Sequence, residues 1–182
     1  MKYILACPGG VATGGPELSH QLAYSLIRIG VDARIYYYKT SGKARKAPKE
    51  FEHYNVPSVK RLAECDVLVV PEIRTDLLRN SKAKYKVVWW QSINNYYKYY
   101  SVGTSAKRRL IGKNILTLKD FLSNNGYIHL AQSHYAELHL ETLGIKDIYS
   151  LKDYLSDEFD HFTKEESREN RILYNPKKGA HI

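Results

Sequence analysis

The chain opens Lys2-Tyr-Ile-Leu-Ala-Cys7, continues through Pro8-Gly-Gly-Val-Ala-Thr-Gly-Gly-Pro16, and runs on from Glu17 to Ile29. The first piece is a short apolar run with strand character. The second holds four glycines, Gly9, Gly10, Gly14 and Gly15. The third places Leu18, Leu22, Leu26 and Ile29 on one helical stripe, with Gly30 as its stop. Pro16 suits the first turn of a helix, because the N–H it lacks has no intrahelical partner there. Strand, glycine loop and helix in this order predict the first unit of an α/β domain with a parallel sheet. A helix N-terminus after such a loop presents free N–H groups and a positive dipole end, which favour an anion or a polyol. The spacing GGxxxGG is neither the GxGxxG of dinucleotide folds nor the Walker pattern of NTPases. A glycine loop here also serves where only tight packing is needed, so the loop alone leaves both readings open.

The rest of the chain repeats the alternation. Strands are predicted at Tyr3–Cys7, Arg34–Tyr38, Asp66–Val70, Lys86–Trp90, Tyr127–Gln132 and Asp147–Ser150. Helices are predicted at Glu17–Ile29, Ser58–Glu64, Asp76–Lys82, Thr117–Leu122 and His134–Leu143, the last capped by Ser133 and stopped by Gly144. Lys39–Lys49, with Lys39, Lys43, Arg45, Lys46, Lys49, Gly42 and Pro48, reads as a long mobile loop. Strands and helices alternating at this spacing imply a single Rossmann-like domain, a mostly parallel sheet with helices on both faces. The domain is expected over residues 1–155. The acidic stretch 156–170 reads as a linker, and 171–182 as a strand with a turn after it.

In parallel sheets ligands sit outside the carboxyl ends of the strands. That rule gathers Gly9 to Gly15, with Gly14 and Gly15 among them, Pro71-Glu72, Gln91-Ser92 with Asn94-Asn95, and Gln132-Ser133 onto one edge. Amides, hydroxyls and a carboxylate beside glycine N–H groups suit a sugar or sugar phosphate, which needs many paired donors and acceptors. Each residue also has a plainer reading. Ser133 reads first as a helix cap and only second as a ligand contact, and Asn94-Asn95 also suits a turn. Glu72 is the exception, since turn chemistry does not call for glutamate there.

Composition narrows the class. With 182 residues, 43% hydrophobic, the chain is long enough for one packed domain. Two cysteines, Cys7 and Cys65, make neither a disulfide framework nor a zinc spacing, and fit small core residues in a reducing, cytoplasmic setting. The run before Pro8 is too short for a signal peptide or a membrane span. No cofactor or metal cluster is expected. The net charge of +9 is uneven. Residues 31–114 hold 18 Lys/Arg against 7 Asp/Glu, a net of +11, whereas residues 115–182 hold 8 against 11, a net of −3. A basic middle attracts anionic membrane, phosphorylated substrates or nucleic acid, or is simply a solvated face. The tyrosine-rich stretch Tyr96–Tyr100, followed by Lys107, Arg108 and Arg109, fits a membrane interface, a stacking platform or a covered core edge.

Several of these segments carry a resemblance. Ala6-Cys-Pro-Gly-Gly-Val-Ala-Thr-Gly-Gly-Pro-Glu-Leu-Ser-His-Gln-Leu22 resembles the start of bacterial retaining glycosyltransferases of the B fold, the large group that builds capsules, O-antigens and exopolysaccharides. Val69-Val-Pro-Glu72, Val87-Val-Trp-Trp-Gln-Ser-Ile-Asn-Asn95 and Leu130-Ala-Gln-Ser-His-Tyr135 resemble successive strand-end motifs of that domain. Ile172-Leu-Tyr-Asn-Pro-Lys-Lys-Gly179 resembles the opening of the second, donor-binding domain, which the sequence does not go on to supply. The resemblance implies an acceptor-binding half whose partner domain holds a nucleotide-sugar donor. It implies metal-free hexosyl transfer to a saccharide or lipid-linked saccharide acceptor, with the isolated half inactive. It places Gly14 and Gly15 near the donor diphosphate. A histidine that several relatives carry after the strand matching Val87–Trp90 is replaced here by Gln91-Ser92, and the catalytic residues stay unassigned. The expected setting is the cytoplasm, peripheral to the inner face of the plasma membrane. A non-catalytic subunit of a split glycosyltransferase is the alternative. A basic nucleic-acid-binding domain is a third reading, disfavoured because no nucleic-acid motif is recognised.

Overall fold

The computed structural model describes residues 1–62, 65–100 and 115–153. Among the described residues seven strands form one sheet in which every pairing is parallel. They are β1 (Lys2–Pro8), β2 (Asp32–Tyr38), β3 (Ser58–Val59), β4 (Val67–Pro71), β5 (Tyr85–Trp90), β6 (Tyr127–Ala131) and β7 (Ile148–Ser150). Their order is β3-β2-β1-β4-β5-β6-β7. The chain therefore runs outward from β1 through β2 to β3, then returns to the other side of β1 and runs outward again. The reversal falls between β1 and β4, the position at which open α/β sheets bind ligands. Among the described residues the α-helices are α1 (Gly14–Arg28), α2 (Asp76–Arg79), α3 (Ile93–Tyr100), α4 (Leu118–Ser123) and α5 (His134–Thr142). The architecture is the Rossmann-like α/β domain that the alternation predicts.

Strand alternation builds a core on each face. Ile4, Ala6, Leu68, Val70, Val88 and Trp90 point to one side, where Leu78, Ile93, Tyr96, Phe121 and Leu140 of the later helices cover them. Leu5, Cys7, Ile35, Val69, Val87 and Trp89 point to the other, with Ala23 of α1 buried among them and Leu18, Leu22 and Leu26 packed alongside. The central strands are apolar on both faces, as strands covered by helices on both sides must be. Register fixes which residues reach the carboxyl edge together: Pro8 pairs with Tyr38, and Pro71 with Trp89.

Four local expectations need correction. The first helix begins at Gly14, not Glu17, so Gly14 and Gly15 form its first turn and Pro16 is its third residue. The polar loop ends in a 3-10 helix, Lys49–Tyr54, whose buried Phe51 and Tyr54 pack on His20, with Phe51 at 5.0 Å between ring centroids. The loop itself is tied down: Gly10 donates its N–H to Lys46 O at 2.9 Å, and the Ala44 backbone lies over Gly9. Gly10 has φ +64°, a conformation that excludes most side chains. Ser58–Val59 is an edge strand rather than the start of a helix. Pro57 holds Val56 extended, and its carbonyl accepts the Ile35 N–H at 2.9 Å, which steers the chain onto the β2 edge. The helix predicted to Lys82 stops at Arg79. The expected linker and the strand with its turn at 171–182, together with Lys107, Arg108 and Arg109, lie outside the described residues.

Candidate functional site

All four predicted strand-end loops face one edge, because every strand is parallel. A cleft of about 1110 Å³ occupies that edge. Its walls include the α1 N-terminus with Gly14 and Gly15, the β4 end with Glu72, and the β5–α3 turn with Gln91, Ser92 and Asn95. Gln132 lines it from β6 and donates its side-chain amide to Asp153 at 2.5 Å. Of the eight residues predicted to bind substrate, six line this cleft. Asn94 is exposed on α3, and Ser133 caps α5; neither lines the cleft. The Ser133 hydroxyl accepts the Ala136 N–H at 3.2 Å. Ser92 also caps: its hydroxyl accepts the Asn95 N–H at 3.2 Å, which starts α3. The hydroxyl thus has a structural task at the cleft wall, one the Ser-Ile-Asn-Asn sequence leaves open.

Gln91 and Glu72 tie three elements together. The Gln91 side-chain amide donates to Gly15 O at 3.1 Å, joining β5 to the first turn of α1. The Gln91 N–H donates to Glu72 Oε2 at 3.1 Å, joining β5 to β4. A side chain on Gly15 would collide with Gln91 Oε1, whereas one on Gly14 would meet nothing within 4 Å. Glu72 is 2% exposed. Burial pushes its carboxyl up to about 7, and backbone N–H groups, those of Gln91 and Ser92 among them, pull it partly back. The carboxyl is directed to those amides, so Glu72 positions the β5–α3 turn while holding a proton that exchanges near neutral pH.

The helix-end chemistry is intact at α1. Thr13 occupies the cap position in extended conformation and makes no side-chain cap bond. Pro16 brings no N–H, and those of Gly14 and Gly15 have no acceptor within the helix. Both residues line the cleft, and a helix N-terminus favours a negative or strongly accepting group. Among the described residues no three His, Cys, Asp or Glu side chains lie close enough to hold a metal ion.

One strand end escaped the sequence reading. Tyr38, Lys39, Thr40 and Ser41 at the carboxyl end of β2 also line the cleft, as do Ile73, Arg74 and Tyr99. The rule that selected Glu72 and Gln91 applies equally to the end of β2. Tyr96 divides from its neighbours in the same way. It is fully buried, packs edge-on against Trp90, stacks on Tyr100, and donates to Leu116 O at 3.1 Å. Tyr99 faces the cleft, and Tyr97 lies on the surface bonded to His139 at 2.9 Å.

Both cysteines are free. Cys7 is buried, and burial pushes its thiol up to about 12, so it is an inert core residue. Among the described residues no helix is long and apolar enough to cross a membrane. Comparison with models of known families, with curated proteins and with solved structures finds no match.

Proposed function

We propose that this chain is the acceptor-binding half of a glycosyltransferase of the B fold, serving hexosyl transfer from a nucleotide sugar to a saccharide or lipid-linked saccharide. The observation that carries the reading is the cleft at the β1/β4 switch point. It sets the open α1 N-terminus beside amide, hydroxyl and carboxyl groups from β4 and β5. A polyhydroxylated acceptor matches that mixture of donors and acceptors, and the helix end suits a phosphate borne by the acceptor or by a departing donor. The sequence resemblance supports the same assignment. Glu72 and Gln91 hold the wall in place, and the donor nucleoside is left to a second domain or subunit.

The reading makes a lopsided binding prediction. Saccharides and polyprenyl-pyrophosphate saccharides should bind the chain alone, and nucleotide sugars should bind only weakly, with no more than trace transfer. Isothermal titration with both ligand classes, alongside a radiolabelled transfer assay, checks this. Tight nucleotide-sugar binding or robust turnover by the isolated chain would overturn the half-enzyme assignment. Failure of every saccharide to bind would overturn the acceptor assignment.

A further inference from the structure

Among the described residues, three buried side-chain polar atoms have no hydrogen-bond partner in the protein: the Tyr38 hydroxyl, the Thr40 hydroxyl and the Trp89 indole N–H. Two of the three belong to residues that line the cleft, and both lie at the end of β2. Buried hydroxyls are ordinarily paired, because leaving one unpaired is unfavourable. Tyr38 is only 7% exposed, and both hydroxyls are sealed from solvent in this conformation, so a ligand hydroxyl reaches them when the side chains turn toward the cleft.

The surroundings say what chemistry would pair with it. The Arg74 guanidinium lies over the Tyr38 ring, 4.3 Å from its centroid. Arg74 is itself bound by Asp76 through two hydrogen bonds of 2.8 and 3.0 Å, so its charge is answered locally. Glu72 and Tyr99 line the same cleft. Asp76 thus neutralises the guanidinium over the ring, whereas Lys39, exposed on the same wall between Tyr38 and Thr40, brings a positive charge of its own. An anion would gain from Lys39 but not from the two hydroxyls as a pair. A polyol suits the hydroxyls, because each sugar hydroxyl both donates and accepts and so satisfies a tyrosine or threonine hydroxyl in either sense.

We infer that Tyr38 and Thr40 form a subsite for a pyranose ring of the acceptor, pairing through their unpartnered hydroxyls with ring hydroxyls at the β2 end of the cleft. The inference rests on the acceptor reading above and adds a direction to it. The saccharide lies toward β2, and any phosphate it carries lies toward the α1 N-terminus.

The test uses the full chain with Tyr38→Phe, Thr40→Val and the double variant, and Tyr96→Phe as control. Thermal unfolding comes first. Tyr96→Phe strips a partner from Leu116 O and should lower Tm by several degrees, whereas Tyr38→Phe and Thr40→Val should leave Tm unchanged or raise it. A drop at Tyr38→Phe comparable to that at Tyr96→Phe would show the hydroxyl already satisfied, and would overturn the inference. Amide NMR comes second, with the methyl glycosides of glucose, galactose, mannose and N-acetylglucosamine, and with inorganic phosphate, as probes. At least one glycoside should shift the Lys39–Ser41 and Ile73–Arg74 amides saturably, and the double variant should weaken its binding about tenfold. Shifts confined to Gly14, Gly15 and the Gln91–Asn95 turn would remove the subsite and leave the acceptor reading standing. Shifts at Lys39–Ser41 from phosphate but from no glycoside would overturn the subsite. Absence of any glycoside shift would overturn both.

Discussion

Tyr37 and Tyr38 are neighbours on β2 and point to opposite faces of the sheet, Tyr37 into the core beneath α1 and Tyr38 toward the later helices. Tyr37 donates its hydroxyl to His20 Nε2 at 2.9 Å, and His20 Nδ1–H donates to Pro16 O at 2.7 Å. The carbonyl can only accept, which fixes the histidine tautomer and with it the sense of the tyrosine bond. Burial holds His20 neutral by pushing its pKa down. Tyr38, one residue later, reaches the cleft with no protein partner for its hydroxyl. The same contrast separates two regions. Deep in the core, Trp90 donates to His129 Nδ1 at 2.9 Å, and Thr75 accepts the Leu116 N–H at 2.8 Å. Around the cleft lie an unpaired tyrosine, an unpaired threonine and a carboxyl raised to about 7. Trp89, whose indole N–H is unpaired away from the cleft wall, is the exception. A core that pairs its polar groups is built for stability. On the proposed acceptor reading, a wall that leaves them open keeps its hydrogen-bonding capacity for a ligand.

The comparison breaks most readily at its stable end. Trp90→Ala removes a fully buried indole and leaves His129 Nδ1 without its donor, so unfolding free energy should fall by about 3–5 kcal/mol. Urea denaturation measures it, and a loss near zero would mean that the paired core is not where stability resides.

Glu72→Gln tests the other side. A carboxyl whose pKa is raised in the folded state keeps its proton where the unfolded chain has lost it. Its favourable contribution is therefore complete below about pH 4.5 and fades as pH rises to about 7. Above that the charged, buried carboxylate is a constant deficit. A tenfold change in proton affinity is worth about 1.4 kcal/mol, so the variant should exceed the parent by roughly 3 kcal/mol at pH 8. Near pH 4.5 the two should match. His129, held down to about 4 by burial, has the opposite slope: its contribution is complete above about pH 6.5 and is lost toward pH 4. That slope is common to both proteins and cancels in their difference. A pH-independent difference between variant and parent would show that Glu72 does not titrate in this window.

The smallest effects come from the paired glycines. Gly15→Ala displaces the Gln91 amide and loses its bond to Gly15 O, a loss of about 1 kcal/mol. Gly14→Ala meets open space and should gain about 0.5 kcal/mol from helix propensity and lost unfolded-state freedom. Chemical denaturation of both variants measures the pair, and equal effects would mean that the Gln91 clamp contributes nothing.

The alternation of buried strands and amphipathic helices was enough for the sheet, for its parallel sense and for the edge that holds the cleft. Strand-end position alone brought Glu72, Gln91, Ser92 and Asn95 to that edge. What stayed hidden depends on contacts distant in sequence. Ser58–Val59 lacks strand length of its own and becomes a strand because β2 offers an open edge. The 3-10 helix at Lys49–Tyr54 exists because Phe51 and Tyr54 find His20. Tyr38 and Thr40 carry no local mark that their hydroxyls end unpaired.

Period and turn chemistry act between near neighbours, so the order of residues was sufficient for the fold class and for the edge that holds the cleft. Pairing of buried polar groups is settled only where remote segments meet. It therefore took the folded chain to make Tyr37 satisfied and Tyr38 not, to bridge Gln91 to Gly15, and to seat Glu72 dry enough to keep its proton to neutral pH.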